Sequence, residues 1–102
     1  MNKPYRLLYL PAARKDIYDL MLYIANQLHA PASALRILAA METAIQRLGE
    51  FPYAFPVYRT MKPLATEYRM LPVEGYNVFY TVLEKERVVE ILKTVYDPEI
   101  PV

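Results

Sequence analysis

Apolar residues recur at Ala13, Ile17, Leu20, Ile24 and Leu28, a spacing that gathers them on one face of a helix. The spacing predicts a first helix from about Ala12 to Leu28. Pro11 suits its first turn, where a missing N–H costs little, and Pro31 disfavours helical geometry at the residue before it. A second stripe, Ala34, Leu38, Met41, Ile45 and Leu48, predicts a second helix from about Pro31 to Leu48. Gly49 follows where a left-handed C-terminal cap belongs. Leu35, Ile37, Ala40 and Ala44 widen the apolar surface of this helix beyond one face. Two amphipathic helices joined by so short a link make a helical hairpin.

The pattern then changes period. Tyr76–Leu83 is almost wholly β-branched and aromatic, as suits a pleated, half-buried surface. Alternation puts Tyr76, Val78, Tyr80 and Val82 on one face and Asn77, Phe79, Thr81 and Leu83 on the other. Both faces are largely apolar, so this strand is expected to be central. Glu67–Val73 precedes it across the two-residue link Glu74-Gly75, which suits a hairpin turn needing positive φ. Arg87–Tyr96 follows across the charged link Glu84-Lys85-Glu86. Tyr5–Leu10, ending at Pro11, reads as a further short strand. Between helices and meander, Phe51–Thr66 holds Pro52, Pro56 and Pro63 among Phe51, Tyr53, Phe55 and Tyr58, an irregular stretch pinned by its aromatics. The expected architecture is α+β, in the order β-α-α-β-β-β, a helical hairpin packed on a mostly antiparallel four-stranded sheet.

Composition removes several functions. The 102 residues make one domain, 1–102, with a formal net charge of only +1. That balance argues against affinity built on many phosphate contacts. There is no cysteine, hence no disulfide framework or thiolate nucleophile, and a cytoplasmic location is expected. No apolar run reaches the length of a membrane span, and the N-terminus lacks the apolar core of a signal peptide. Two glycines cannot build a phosphate-cradling loop. A single histidine, His29, rules out a multi-histidine metal site, so neither metal nor cofactor is expected. His29 falls near a helix C-terminus, where a cap suits it. Ser33, in the first turn of the second helix, suits capping. Asp16 and Asp19 read as a solvated helix face.

Polar residues in and around the sheet are the candidate chemistry. Arg69 lies inside the first strand of the meander, where an ion pair with Glu67 or Glu90 and a functional role are both open. By strict alternation Lys93 falls with Val89, Ile91 and Val95, and Tyr96 with Leu92 and Thr94. Arg59 and Lys62 precede the sheet. Cations and tyrosines together can hold a phosphate backbone and stack bases, while ten tyrosines equally suit core and interface packing.

Several segments in order resemble the RelE/ParE superfamily of toxins from bacterial type II toxin–antitoxin modules. They are Tyr9-Leu10-Pro11-Ala12-Ala13, Asp16-Ile17, Tyr23-Ile24, Leu48, Phe51-Pro52, Tyr68-Arg69-Met70-Leu71-Pro72-Val73, Tyr76-Asn77-Val78-Phe79-Tyr80, Val89-Glu90-Ile91 and Val95-Tyr96-Asp97. The resemblance implies a small growth-inhibiting toxin neutralised by a cognate antitoxin, part of whose contact is expected at Leu35, Ile37, Ala40 and Ala44. It implies one of two targets: DNA gyrase for ParE-like members, or mRNA on the ribosome for RelE-like members, which cleave without metal. In the nuclease reading Arg69 and Lys93 would neutralise phosphate charge and Tyr96 would serve acid–base chemistry, with Arg59 and Lys62 on the approach. RelE-like members usually carry arginine where this chain has Asn77, and basic residues where it has Asp97-Pro98-Glu99. The sequence therefore leans to ParE-like inhibition. A degenerate toxin or non-enzymatic binding module is the third reading.

Overall fold

The computed structural model describes residues 4–58 and 67–96. Strand β1 (Arg6–Tyr9) leads into helix α1 (Pro11–Leu22), which continues as a π-helical turn over Tyr23–Gln27. Helix α2 (Pro31–Arg47) returns, and β2 (Arg69–Val73), β3 (Tyr76–Leu83) and β4 (Val88–Tyr96) complete one sheet in the order β1-β4-β3-β2. The meander is antiparallel, and β1 lies parallel to β4. The expected α+β order is found, with β3 internal. Glu74 (φ 52) and Gly75 (φ 82) are both left-handed, so the β2–β3 link is the type I′ turn whose twist matches the strands it joins.

The hairpin covers the sheet face that carries Leu71, Val73, Val78, Tyr80, Val89 and Ile91. These pack with Ala13, Met41, Ile45 and Leu48 into one core. Ala13, Ile17 and Leu20 of the first stripe and Met41, Ile45 and Leu48 of the second serve that core, while Ile24 and Ala34 are buried outside it. Leu28 is 55% exposed, because the single α-helix expected as far as Leu28 gives way to a π turn. Leu28 N–H bonds Tyr23 O, five residues back. The wider turn holds an extra residue, so Leu28 comes round out of phase with Ile24.

Caps differ too. Gly49 has no positive φ; the left-handed non-glycine that ends the first helix is His29, φ 51. Gly49 is needed for close approach instead. Its carbonyl accepts Tyr5 N–H at 2.7 Å, and an added Cβ would sit 3.2 Å from Tyr5 O. Ser33 does not cap α2, whose N-cap is Ala30 with no side-chain bond and Pro31 in the first turn. Asp16 is more than a solvated residue: its Oδ2 accepts Thr94 N–H at 3.0 Å. β1 ends at Tyr9 opposite Ile91, and Asp16 satisfies an amide of β4 beyond that end. Asp19 pairs with Lys15 at 2.7 Å.

The β3–β4 register changes step once. Phe79 faces Lys93, but Tyr80 faces Ile91. Leu92 is the extra residue of a β-bulge, and a bulge resets which face later residues occupy.

Candidate functional site

That bulge decides where the candidate residues point. Cross-strand partners share a face. Ile91 and Val89, opposite Tyr80 and Val82, face the helices. Lys93 and Val95, opposite Phe79 and Asn77, face the other way. The reading that groups Lys93 with Val89 and Ile91 is thus corrected: the bulge turns the lysine away from the core, and its Nζ lies 5.3 Å from the Phe79 ring centroid. Tyr96, opposite Tyr76, is on the helix side with Thr94. Its ring packs on Tyr76 with centroids 5.2 Å apart, and it remains exposed.

Arg69 pairs with Tyr80 and shares the helix-side face. Tyr96 lies in the row of Tyr76 and Val73, four residues along and two strands across. At ~3.3 Å per residue and ~4.8 Å per strand, that is on the order of 15 Å. The three residues proposed to share a reaction are therefore spread over two faces and opposite ends of the sheet. Asn77, where an arginine would mark the RelE-like pattern, is 4% exposed. Arg59, Lys62 and the segment 97–102 lie outside the described residues.

Arg69 makes no ion pair with Glu67 or Glu90. Its Nη1 donates to the Phe55 carbonyl at 2.6 Å, and its guanidinium lies 5.0 Å from the Tyr53 ring centroid. Tyr53 belongs to a network that no sequence pattern announced. Glu84, in the β3–β4 turn, accepts the Tyr5 hydroxyl at 2.6 and 2.8 Å and the Tyr53 hydroxyl at 2.5 Å. Arg87, left-handed at φ 56, closes the array at 3.4 Å from Glu84 and 4.1 Å over the Tyr5 ring. The donated hydroxyls, Tyr5 first, hold the Glu84 carboxyl below its usual range. Glu84 in turn pushes Tyr53 up to about 12 and raises Tyr5. The array joins the start of the chain, the aromatic loop and the turn; its neighbours Tyr5 and Glu84 are 79 residues apart in sequence.

The surface of α2 divides. Leu35 is 68% exposed, while Ile37, Ala40 and Ala44 are half-buried against the core. Ala40 and Ala44 line a groove of about 550 Å³ between α2 and β2, with Phe55, Leu71 and Pro72 opposite. A second groove of about 540 Å³ separates the helices, floored by Met41 and Ile45 and rimmed by Arg14 and Glu42. Among the described residues no His, Asp and Glu group has metal-site geometry, and no helix is long and apolar enough to cross a membrane.

A four-stranded sheet with a helical hairpin on one face is the architecture expected of the RelE/ParE superfamily of small toxins. Residues 4–96 match the model of the ParE toxin of type II toxin–antitoxin system parDE, and the chain belongs to that family. A comparison with curated proteins returns no match. Among solved structures, the fold is similar to the chromosomal ParDE system of P. aeruginosa, with a TM-score of 0.73 at 16% identity, covering 93% of this chain and 98% of that one. The RelBE2 toxin–antitoxin complex of Mycobacterium tuberculosis gives 0.66 at 21%, covering 92% and 99%. The archaeal RelE–RelB complex of Pyrococcus horikoshii gives 0.54 at 18%, covering 95% and 99%.

Proposed function

We propose that this toxin arrests growth by ParE-like inhibition of DNA gyrase, through a protein contact and without a reaction of its own. The observation that carries the reading is the separation of Arg69, Lys93 and Tyr96. Phosphoryl chemistry needs charge stabilisation and acid–base groups within hydrogen-bond reach of one phosphate. Here one cation is engaged by the Phe55 carbonyl, the other faces away from it, and the tyrosine sits at the far end of the sheet. The family match at residues 4–96 supports the same reading. A cognate antitoxin is the second partner. We place part of its contact on α2, at exposed Leu35 and along the groove of Ala40 and Ala44, with Ile37 beneath. Small residues there let a partner's backbone approach, and an uncovered apolar surface of this kind marks an interface.

The test uses purified protein in two assays: supercoiling by gyrase, and mRNA cleavage on translating ribosomes, each with Arg69→Ala and Tyr96→Phe. Inhibited supercoiling with intact mRNA is expected. Cuts at A-site codons that vanish in Arg69→Ala would overturn the proposal in favour of the RelE-like alternative. Protein that neither inhibits nor cuts, and leaves growth untouched, would mark a degenerate toxin that only binds its antitoxin.

A further inference from the structure

We propose that Arg69 is a positioning residue, which clasps the aromatic loop 51–58 to the sheet and contributes to growth arrest through that loop rather than by neutralising charge on a target. The inference rests on the reading of the chain as a growth-arresting toxin. The loop contains Pro52 and Pro56, which have no N–H to donate, so it cannot secure itself by a regular ladder. An isolated bridge, Val57 to Arg69, ties it through the backbone, with Met70 N–H donating to Pro56 O at 3.4 Å, and the sheet takes two further loop carbonyls with side chains. Arg69 Nη1 donates to Phe55 O at 2.6 Å. The buried Tyr80 hydroxyl donates to Pro52 O at 2.8 Å. Arg69 and Tyr80 are direct cross-strand partners, so a single row of the sheet grips the loop at both points. Tyr53 folds its ring over the guanidinium, and Tyr58 N–H reaches Tyr68 O at 2.6 Å. The half-buried Arg69 thus spends its planar face and a donor inside its own chain. What it holds in place is a set of exposed rings: Phe51 at 62%, Tyr53 at 50% and Tyr58 at 41%. Ordered aromatic side chains of this kind act as anchors in protein contacts.

Charge and clasp make different demands on the residue. A lysine keeps the charge but has no planar guanidinium to stack on Tyr53. Tyr80→Phe removes the other tie and leaves every charge in place. The experiment compares Arg69→Lys, Arg69→Ala and Tyr80→Phe in the full chain, with Val82→Ala as a core-destabilised control. It reads amide exchange at Ala54 and Tyr58, whose N–H groups bond Phe51 O and Tyr68 O, together with growth arrest on induction. The expected result is exchange faster by on the order of tenfold or more in Arg69→Ala and Tyr80→Phe, the loss of one buried or charge-assisted hydrogen bond. Arrest should weaken in both, without rescue by Arg69→Lys, while Val82→Ala still arrests. Full arrest by Arg69→Lys and Tyr80→Phe, with only Arg69→Ala silent, would overturn the proposal in favour of direct charge contact. Unchanged exchange in Arg69→Ala would overturn the clasp itself. A wild-type chain that arrests no growth overturns the toxin reading and the loop's role in it, while the exchange data still decide the clasp.

Discussion

Deleting Leu92 should leave the fold intact, although a one-residue deletion in a regular strand turns every later side chain to the wrong face. Leu92 is the bulge residue: Ile91 opposes Tyr80 and Lys93 opposes Phe79, with Leu92 left over. Its removal joins Ile91 to Lys93 in plain alternation and moves no partner. The cost is the half-buried leucine side chain, roughly 1–1.5 kcal/mol as half of a full burial. A straightened ladder returns about 0.5–1.5 kcal/mol if it gains a hydrogen bond. The net loss is ~0–1 kcal/mol, a fall in urea midpoint below about 1 M with an unchanged slope. Cross-strand NOEs from Lys93 to Phe79 and from Tyr96 to Tyr76 should persist. If the bulge did not set the faces, the deletion would drive Lys93 among Val78 and Tyr80. An unpaired cation there costs several kcal/mol, a large share of the ~5–15 kcal/mol that holds such a domain together. An unfolded deletion variant, or loss of both NOEs, would refute the reasoning.

Other consequences follow from the same geometry. The folded state holds the Tyr53 proton to about pH 12, whereas the unfolded chain releases it near ~10. Between those values the unfolded state binds fewer protons, so stability falls as pH rises; urea midpoints from pH 9 to 12 should show this slope, and Tyr53→Phe should flatten it. Glu84 has the opposite sign: its lowered pKa gives stability that is present above the ordinary carboxylate range and lost on acidification, a loss that Glu84→Gln should reduce in acid titrations. His29→Gly relieves a left-handed non-glycine and should raise stability by about 1 kcal/mol, read as a higher melting temperature. Thr94 Oγ1 is buried without a partner, so Thr94→Val should be neutral or stabilising by up to about 1 kcal/mol, measured by urea titration.

Most of the architecture was legible because it follows local periodicity. The stripe from Ala34 to Leu48 and the alternation of Tyr76–Leu83 each report a face, and both faces meet in the core. Irregularities were not legible, because they shift phase by one residue without a compositional mark. The π turn at Tyr23–Gln27 contains no glycine or proline, and so displaced Leu28 silently. The bulge at Leu92 lies in a run of good strand formers. His29, and not Gly49, took the left-handed position. The absence of glycine from the link between the two helices hid that break, and the approach of Tyr5 that demands Gly49 comes from a distant part of the chain.

Of the candidate residues, Arg69, Lys93 and Tyr96 do not share one face, and for Lys93 the cause is the bulge. Period two groups Lys93 with Val89 and Ile91, a cation among apolar neighbours in need of an explanation, and the family resemblance implies a phosphate for it to share with Arg69. One extra residue sends Lys93 to the opposite face, so the pairing dissolves and each residue needs its own account. For Lys93 the account is local: an exposed ammonium over the ring of its cross-strand partner Phe79, a position that satisfies the charge without a ligand. For Arg69 it is the loop. Its sequence neighbours Glu67 and Met70 gave no hint of Phe55, fourteen residues away, because a backbone carbonyl is the same at every residue type. Bonds from side chains to distant backbone are invisible to any pattern of side chains, and here two such bonds tie the aromatic loop to the sheet.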